Sequence, residues 1–269
     1  MSDTFLVQAA ACCLREPAPS QKLALTRDTA ARWREGRLLG GAPVGWQPCA
    51  EPGRPQRPRL VHPRELSRRD LKDPVGRAAL IHAVAHIELN AVNLAWDAVQ
   101  RFAEMPLAFH DDWVGVAAEE AEHFQLMRER LQELGHDYGD FPAHDGLWAM
   151  ARRTAGDVLE RMALVPRVLE ARGLDVTPGM IERFRAVGDE DTAARLGIIL
   201  RDEVGHVAIG SRWLRRLCAE RGLDAERTYL DLIERHLGGR VMCPLNRADR
   251  LKAGFDEAEL DALEAMCGR

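Results

Sequence analysis

The six cysteines (Cys12, Cys13, Cys49, Cys218, Cys243 and Cys267) form no C-x-x-C pair and no zinc-ligand spacing. A chain of 269 residues buries enough core to fold without disulfides, so the thiols are read as reduced, in a cytoplasmic protein. No stretch approaches the ~18 uninterrupted apolar residues that span a bilayer, which argues against a membrane anchor. The start carries Asp3 and lacks the basic run of a secretory signal; it is read as a helix capped near Thr4. No glycine-rich nucleotide fingerprint is evident, so electrons for any redox chemistry are expected from a separate reductase. A net charge of −5 gives no global attraction for nucleic acid.

What the sequence does contain is a motif written twice. Arg201-Asp202-Glu203-Val204-Gly205-His206 has a near-copy in Glu119-Glu120-Ala121-Glu122-His123, each an acid followed by Glu-x-x-His within a pattern of helical period. Residues three apart on a helix point the same way, so each Glu and its His form a pair of donors on one face. The apolar row Leu196, Ile199, Glu203, Val207, Gly210, Trp213, Leu217 puts Glu203 in a core slot. Trp113, Val116, Glu120, Phe124, Met127, Leu131, Leu134 does the same for Glu120. A buried carboxylate is costly unless it is paired or binds a metal. Taken singly, a core Glu is more often a salt-bridge partner; the duplicated violation asks for a common chemical cause.

Two Glu-x-x-His helices joined by two further helices with one Glu each make the di-iron or di-manganese carboxylate bundle. The first extra helix is predicted over 74–104, from Pro74 to just before Pro106, with Glu88 in the row Leu80, Val84, Glu88, Ala91, Ala95, Val99. The second, predicted over 147–173, offers Glu170 and Glu160. Glu170 shares its face with Leu159, Ala163 and Pro166, whereas Glu160 lies among Arg153, Asp157 and Arg167. Glu88 to Glu120 is 32 residues and Glu170 to Glu203 is 33, so Glu170 is preferred and Glu160 held in reserve. Pro166, one turn before Glu170, is expected to kink or unwind its helix.

The other elements predicted are a short helix over 28–38, the motif helices over 111–134 and 189–221, a short helix over 180–187, and helices over 225–237 and 256–266. A proline- and arginine-rich stretch over 43–74, with Arg54, Arg57, Arg59, Arg64, Arg68 and Arg69, reads as an extended strap over the surface or a basic arm for a phosphate-bearing partner. The fold class is all-α: a ferritin-like four-helix bundle over 74–222, preceded by N-terminal helices and strap over 1–73 and followed by a C-terminal extension over 223–269. The expected metal ligands are Glu88, Glu120, His123, Glu170, Glu203 and His206, with Glu120 and Glu203 as bridging, catalytic carboxylates. For His62, His82, His86, His110, His136, His144 and His236, surface roles or roles behind the ligands are expected. Four carboxylates and two imidazoles suit two iron ions, or a manganese–iron pair, better than zinc. Glu119 and Asp202 are expected to orient the imidazole of the opposite hairpin.

These motifs resemble the ferritin-like di-iron carboxylate superfamily. Within it, His86-Ile87-Glu88-Leu89-Asn90-Ala91, Leu169-Glu170-Ala171-Arg172-Gly173-Leu174-Asp175 and Arg201 to Gly210 resemble the DUF455 family, as do the strap and the tail from Asn246 to Phe255. The resemblance implies an oxygen-activating oxidoreductase, by analogy with tRNA-hydroxylating di-iron enzymes, acting on a small-molecule, nucleotide or RNA substrate. Ferritin-like iron storage and a metal-stabilised interaction module are the alternatives.

Overall fold

The structure is a computed structural model that describes residues 4–66 and 70–268. Among these residues it is all-helical, with isolated bridges (Phe5 to Leu39, Leu60 to Ala143, Val241 to Cys267) and no strand. The chain divides into two compact units, Met1–Arg152 and Arg153–Arg269.

In the first unit, α1 (Leu6–Arg15) and α2 (Pro19–Arg34) precede two long helices, α3 (Pro74–Arg101) and α4 (Leu107–Glu133), which pack along one another. α2 starts nine residues before the expected position 28, at Pro19, whose fixed φ suits a first turn. Asp73 caps α3 by accepting from the backbone N–H groups of Val75 and Gly76 (both 3.2 Å). α4 begins just after Pro106, ahead of the expected Asp111, whose carboxylate instead accepts from Trp33 Nε1 (2.7 Å). By length and apolarity α3 can cross a membrane, but 83% of its most apolar window is buried and it carries Glu88 and Asp97 inward, which makes it a core helix.

Among its described residues the strap runs without α-helix, broken by one 3₁₀ turn at Pro63–Glu65; Arg68 and Arg69 lie outside the described residues. Its stretch over 46–53 is tied down. Trp46 Nε1 donates to Gln100 O (2.9 Å), the Cys49 and Gln100 amide groups exchange hydrogen bonds, and Gly53 N–H donates to Leu14 O (2.9 Å). A Cβ on Gly53 would fall 1.8 Å from Arg15 O, so only glycine permits this approach. A short helix, α5 (Gly146–Arg153), closes the unit.

The second unit corrects the expected helix over 147–173. The helix is broken after α5 and restarts as α6 (Val158–Leu164), capped by Asp157, whose carboxylate accepts from Leu159 N–H (2.9 Å). A π-helical segment, Val165–Glu170, follows around Pro166, and α7 (Ala171–Ala186) then runs straight through Gly173 and Pro178. Pro178 has no N–H for the carbonyl of Leu174 four residues back. That oxygen accepts instead from Asn246 Nδ2 (3.1 Å), while Arg250 binds Asp175 on the next position (2.8 Å). The residues from Asn246 onward, where no helix was predicted before 256, form α10 (Arg247–Lys252) beside this repair; before it come α8 (Glu190–Glu220) and α9 (Ala225–Leu237), and after it α11 (Glu257–Ala265).

Cys243 and Cys267 form a disulfide, which corrects the expectation of six reduced thiols; Cys12, Cys13, Cys49 and Cys218 are free. Their separation of 24 residues gave no hint of proximity, which the bridge between Val241 and Cys267 creates.

Candidate metal centre

Each unit carries one half of the expected ligand set. In the first, Glu88 on α3 and Glu120 and His123 on α4 are all buried, with donor atoms within 4.8 Å of one another. His123 Nδ1 lies 3.5 Å from Glu88 Oε2 and 3.4 Å from Glu120 Oε2. α3 and α4 bring this about because their apolar rows pack on each other and the glutamates lie within those rows.

The electrostatics call for positive charge. Burial, together with the neighbouring Glu120 carboxylate, pushes Glu88 well above the usual carboxylate range. Burial disfavours the imidazolium of His123, yet the hydrogen bonds and charges of Glu120 and Glu88 push it up to about 11. Without an ion, the imidazole thus serves as the cation of the cluster. Carboxylates and an imidazole are the donors that a divalent transition metal takes, so the residues fit such an ion.

In the second unit α8 repeats the pair: His206 Nδ1 is 3.4 Å from Glu203 Oε2, and both residues are buried. Gly173 on α7 faces this pair: a Cβ there would lie 3.7 Å from Glu203 Cγ, at ordinary van der Waals contact. Glu170, one turn earlier, is buried at the end of the π-helical segment. Among the described residues it is not gathered with Glu203 and His206 as Glu88 is with Glu120 and His123. Glu160 is engaged elsewhere, with Oε1 at 3.2 Å from Arg235 Nη1 and Oε2 at 3.2 Å from His236 Nε2. Asp202 pairs with its neighbour Arg201 (2.8 Å), and Glu119 is exposed.

Residues 15–261 match the sequence profile of the family described as "Protein of unknown function (DUF455)". The chain belongs to the DUF455 family. The match takes in all six candidate ligands and the Asn246 to Arg250 segment that completes α7. Another protein, from Haemophilus influenzae and described as an uncharacterized protein, is 47% identical over 214 residues, covering 77% of this chain and 74% of the relative. No solved structure matches the chain.

Three histidines for which surface or supporting roles were expected are core residues of this DUF455 chain. His82, His86 and His110 are 0%, 6% and 1% exposed. His86 Nδ1 accepts from Tyr138 Oη (2.8 Å), its Nε2 donates to His144 O (3.1 Å), and His82 Nε2 accepts from Gly139 N–H (2.9 Å). The sequence signal for this was the i, i+4 spacing that puts His82, His86 and Asn90 on one face of α3. Its partners, on the loop after α4, could not be read from spacing.

Proposed function

We propose that Glu88, Glu120, His123, Glu170, Glu203 and His206 together hold two iron ions, with a manganese–iron pair as the variant, and that the protein is an oxygen-activating oxidoreductase. The four long elements α3, α4, α6 to α7 and α8 would form a ferritin-like bundle, with Glu120 and Glu203 as its catalytic carboxylates. The observation that carries this reading is the repetition of one local geometry in two separate units: a buried Glu-x-x-His with its imidazole Nδ1 turned to its own carboxylate at 3.4 Å. Repetition of a costly buried charge with the same partner argues for a shared ligand role.

Two iron ions held by these residues would supply the electrons for reducing dioxygen. The chain's own contribution is charge and protons. Four carboxylates balance two divalent ions, and His123 must give up its Nδ1 proton for that nitrogen to become a donor, so metal loading near neutral pH releases protons. Residues 1–73 and 223–269 lie outside the ligand-bearing helices, which favours an enzyme with an external substrate, a hydroxylase, over an iron store. Arg57, Arg59 and Arg64 on the strap are exposed, whereas Arg54 is paired with Asp145, and the exposed three suit a phosphate-bearing substrate such as a nucleotide or RNA. Electrons would come from a separate reductase.

Anaerobic loading with Fe(II) followed by oxygen tests the reading. A transient optical change at two ions per chain, with no accumulation of ferric mineral, is expected. A soluble ferric core growing with added Fe(II) would instead make the protein a store.

A further inference from the structure

The second unit contains a cavity of about 440 Å³ that the ligand set does not use. Its size is that of a small-molecule site. Five arginines line it, Arg153, Arg167, Arg172, Arg240 and Arg250, and no carboxylate does. Its remaining wall is mostly apolar, including Leu169, Ile233 and Leu237.

Arg167 is the most deeply buried arginine of the lining. Its side chain is completely buried, and the guanidinium carbon sits 4.2 Å from the ring centres of both Tyr229 and Phe255. Glu259 accepts from Nη2 at 2.8 and 2.9 Å, but Nε and Nη1 have no hydrogen-bond partner. A buried guanidinium donor left unpaired is costly. Asp175 neutralises Arg250 (2.8 Å) and lies 3.4 Å from Arg172, while Arg153 and Arg240, both exposed, have no carboxylate partner among the described residues. The cavity is therefore positively charged where it is polar and greasy elsewhere.

We propose that this cavity binds an anionic amphiphile: an acid group, carboxylate or phosphate, on an apolar body. The acid group meets Arg153 and Arg240, the exposed arginines of the lining, with the buried guanidinium of Arg167 behind them, and the apolar body lies along Ile233 and Leu237. A purely polar anion would leave the apolar wall uncovered, and a neutral hydrocarbon would leave Arg153 and Arg240 without a counter-charge. The inference does not depend on the metal reading, since none of the six candidate ligands lines the cavity.

The test is isothermal titration of the full chain with decanoate, decyl phosphate, decan-1-ol and inorganic phosphate. At least one of the two acids is expected to bind at one per chain, at least tenfold more tightly than either the alcohol or inorganic phosphate. The tighter acid identifies the headgroup. Arg153→Ala/Arg240→Ala, confined to exposed side chains, should weaken that acid about tenfold without lowering the melting temperature. Ile233→Trp, which fills the cavity, should abolish binding in a protein whose circular dichroism remains that of the parent. Arg167→Met would remove the buried partner of Glu259, so it is not used. The proposal is overturned by no saturable binding of either acid, by decan-1-ol binding as tightly as the acids, or by unchanged affinity in the double variant.

Discussion

A Cβ added at Gly210 would lie 2.4 Å from Pro166 Cγ and 2.5 Å from Pro166 Cβ, so the π-helical segment sits on α8 only because position 210 is bare. Gly210 is two helical turns beyond Glu203 on the same apolar row. The contact therefore fixes the segment that ends in Glu170 against the helix that carries Glu203 and His206. Gly210→Ala should destabilise the protein by about 1–3 kcal/mol through overpacking. Pro166→Ala should recover part of that loss in the double variant. Urea unfolding of the four proteins checks this, and additive losses would contradict it.

The repair of α7 gives a second prediction. Asn246→Ala removes the donor to the Leu174 carbonyl and a cap of α10, at a cost of about 1–3 kcal/mol. Pro178→Ala returns an N–H that can reach Leu174 within the helix, so the Asn246 substitution should cost less in that background. Equal costs in both backgrounds would show that the carbonyl does not need the asparagine.

A third prediction concerns acid. Burial lowers His86 to about 4, and the network with Tyr138 and His144 has it accept at Nδ1 as only a neutral ring can. In the unfolded chain the group titrates near ~6.5. Between these values the unfolded chain binds more protons, so stability falls as pH drops from about 6.5 to about 4, by up to ~3 kcal/mol, and the slope ends below. Chemical denaturation of metal-free protein across this range should show the slope, and His86→Gln should flatten it.

Much of this was legible in the sequence. The helices bearing Glu88, Glu120 and Glu203 were found because each has a strong period, and two of them have clear starts, at Pro74 and at Asp189, whose carboxylate accepts from Thr192 N–H (3.0 Å); the start at Pro106 was placed late, at Asp111. Glu88 was placed with Glu120 and His123 by the same rows. What was lost depended on distant partners. Pro178 stops a helix unless Asn246 supplies the missing bond, and nothing local announces that it does. The disulfide and the buried histidines of α3 likewise rest on residues far along the chain, and the arginines of the cavity are scattered from Arg153 to Arg250.

The helix that carries Glu170 allows a direct discrimination. Glu160 is engaged by Arg235 and His236, so Glu160→Ala should leave metal content unchanged, while Glu170→Ala should lower occupancy at one of the two positions. Metal analysis of both variants decides it, and the reverse pattern would mean that Glu160 is the ligand.

The central claim is that the two half-sites hold two ions together, and metal stoichiometry tests it most directly. Protein loaded anaerobically with Fe(II) and freed of excess should retain two ions per chain by elemental analysis, and the Glu120→Ala/Glu203→Ala variant should retain almost none. At most one ion in the parent, or two kept by the double variant, would contradict the account.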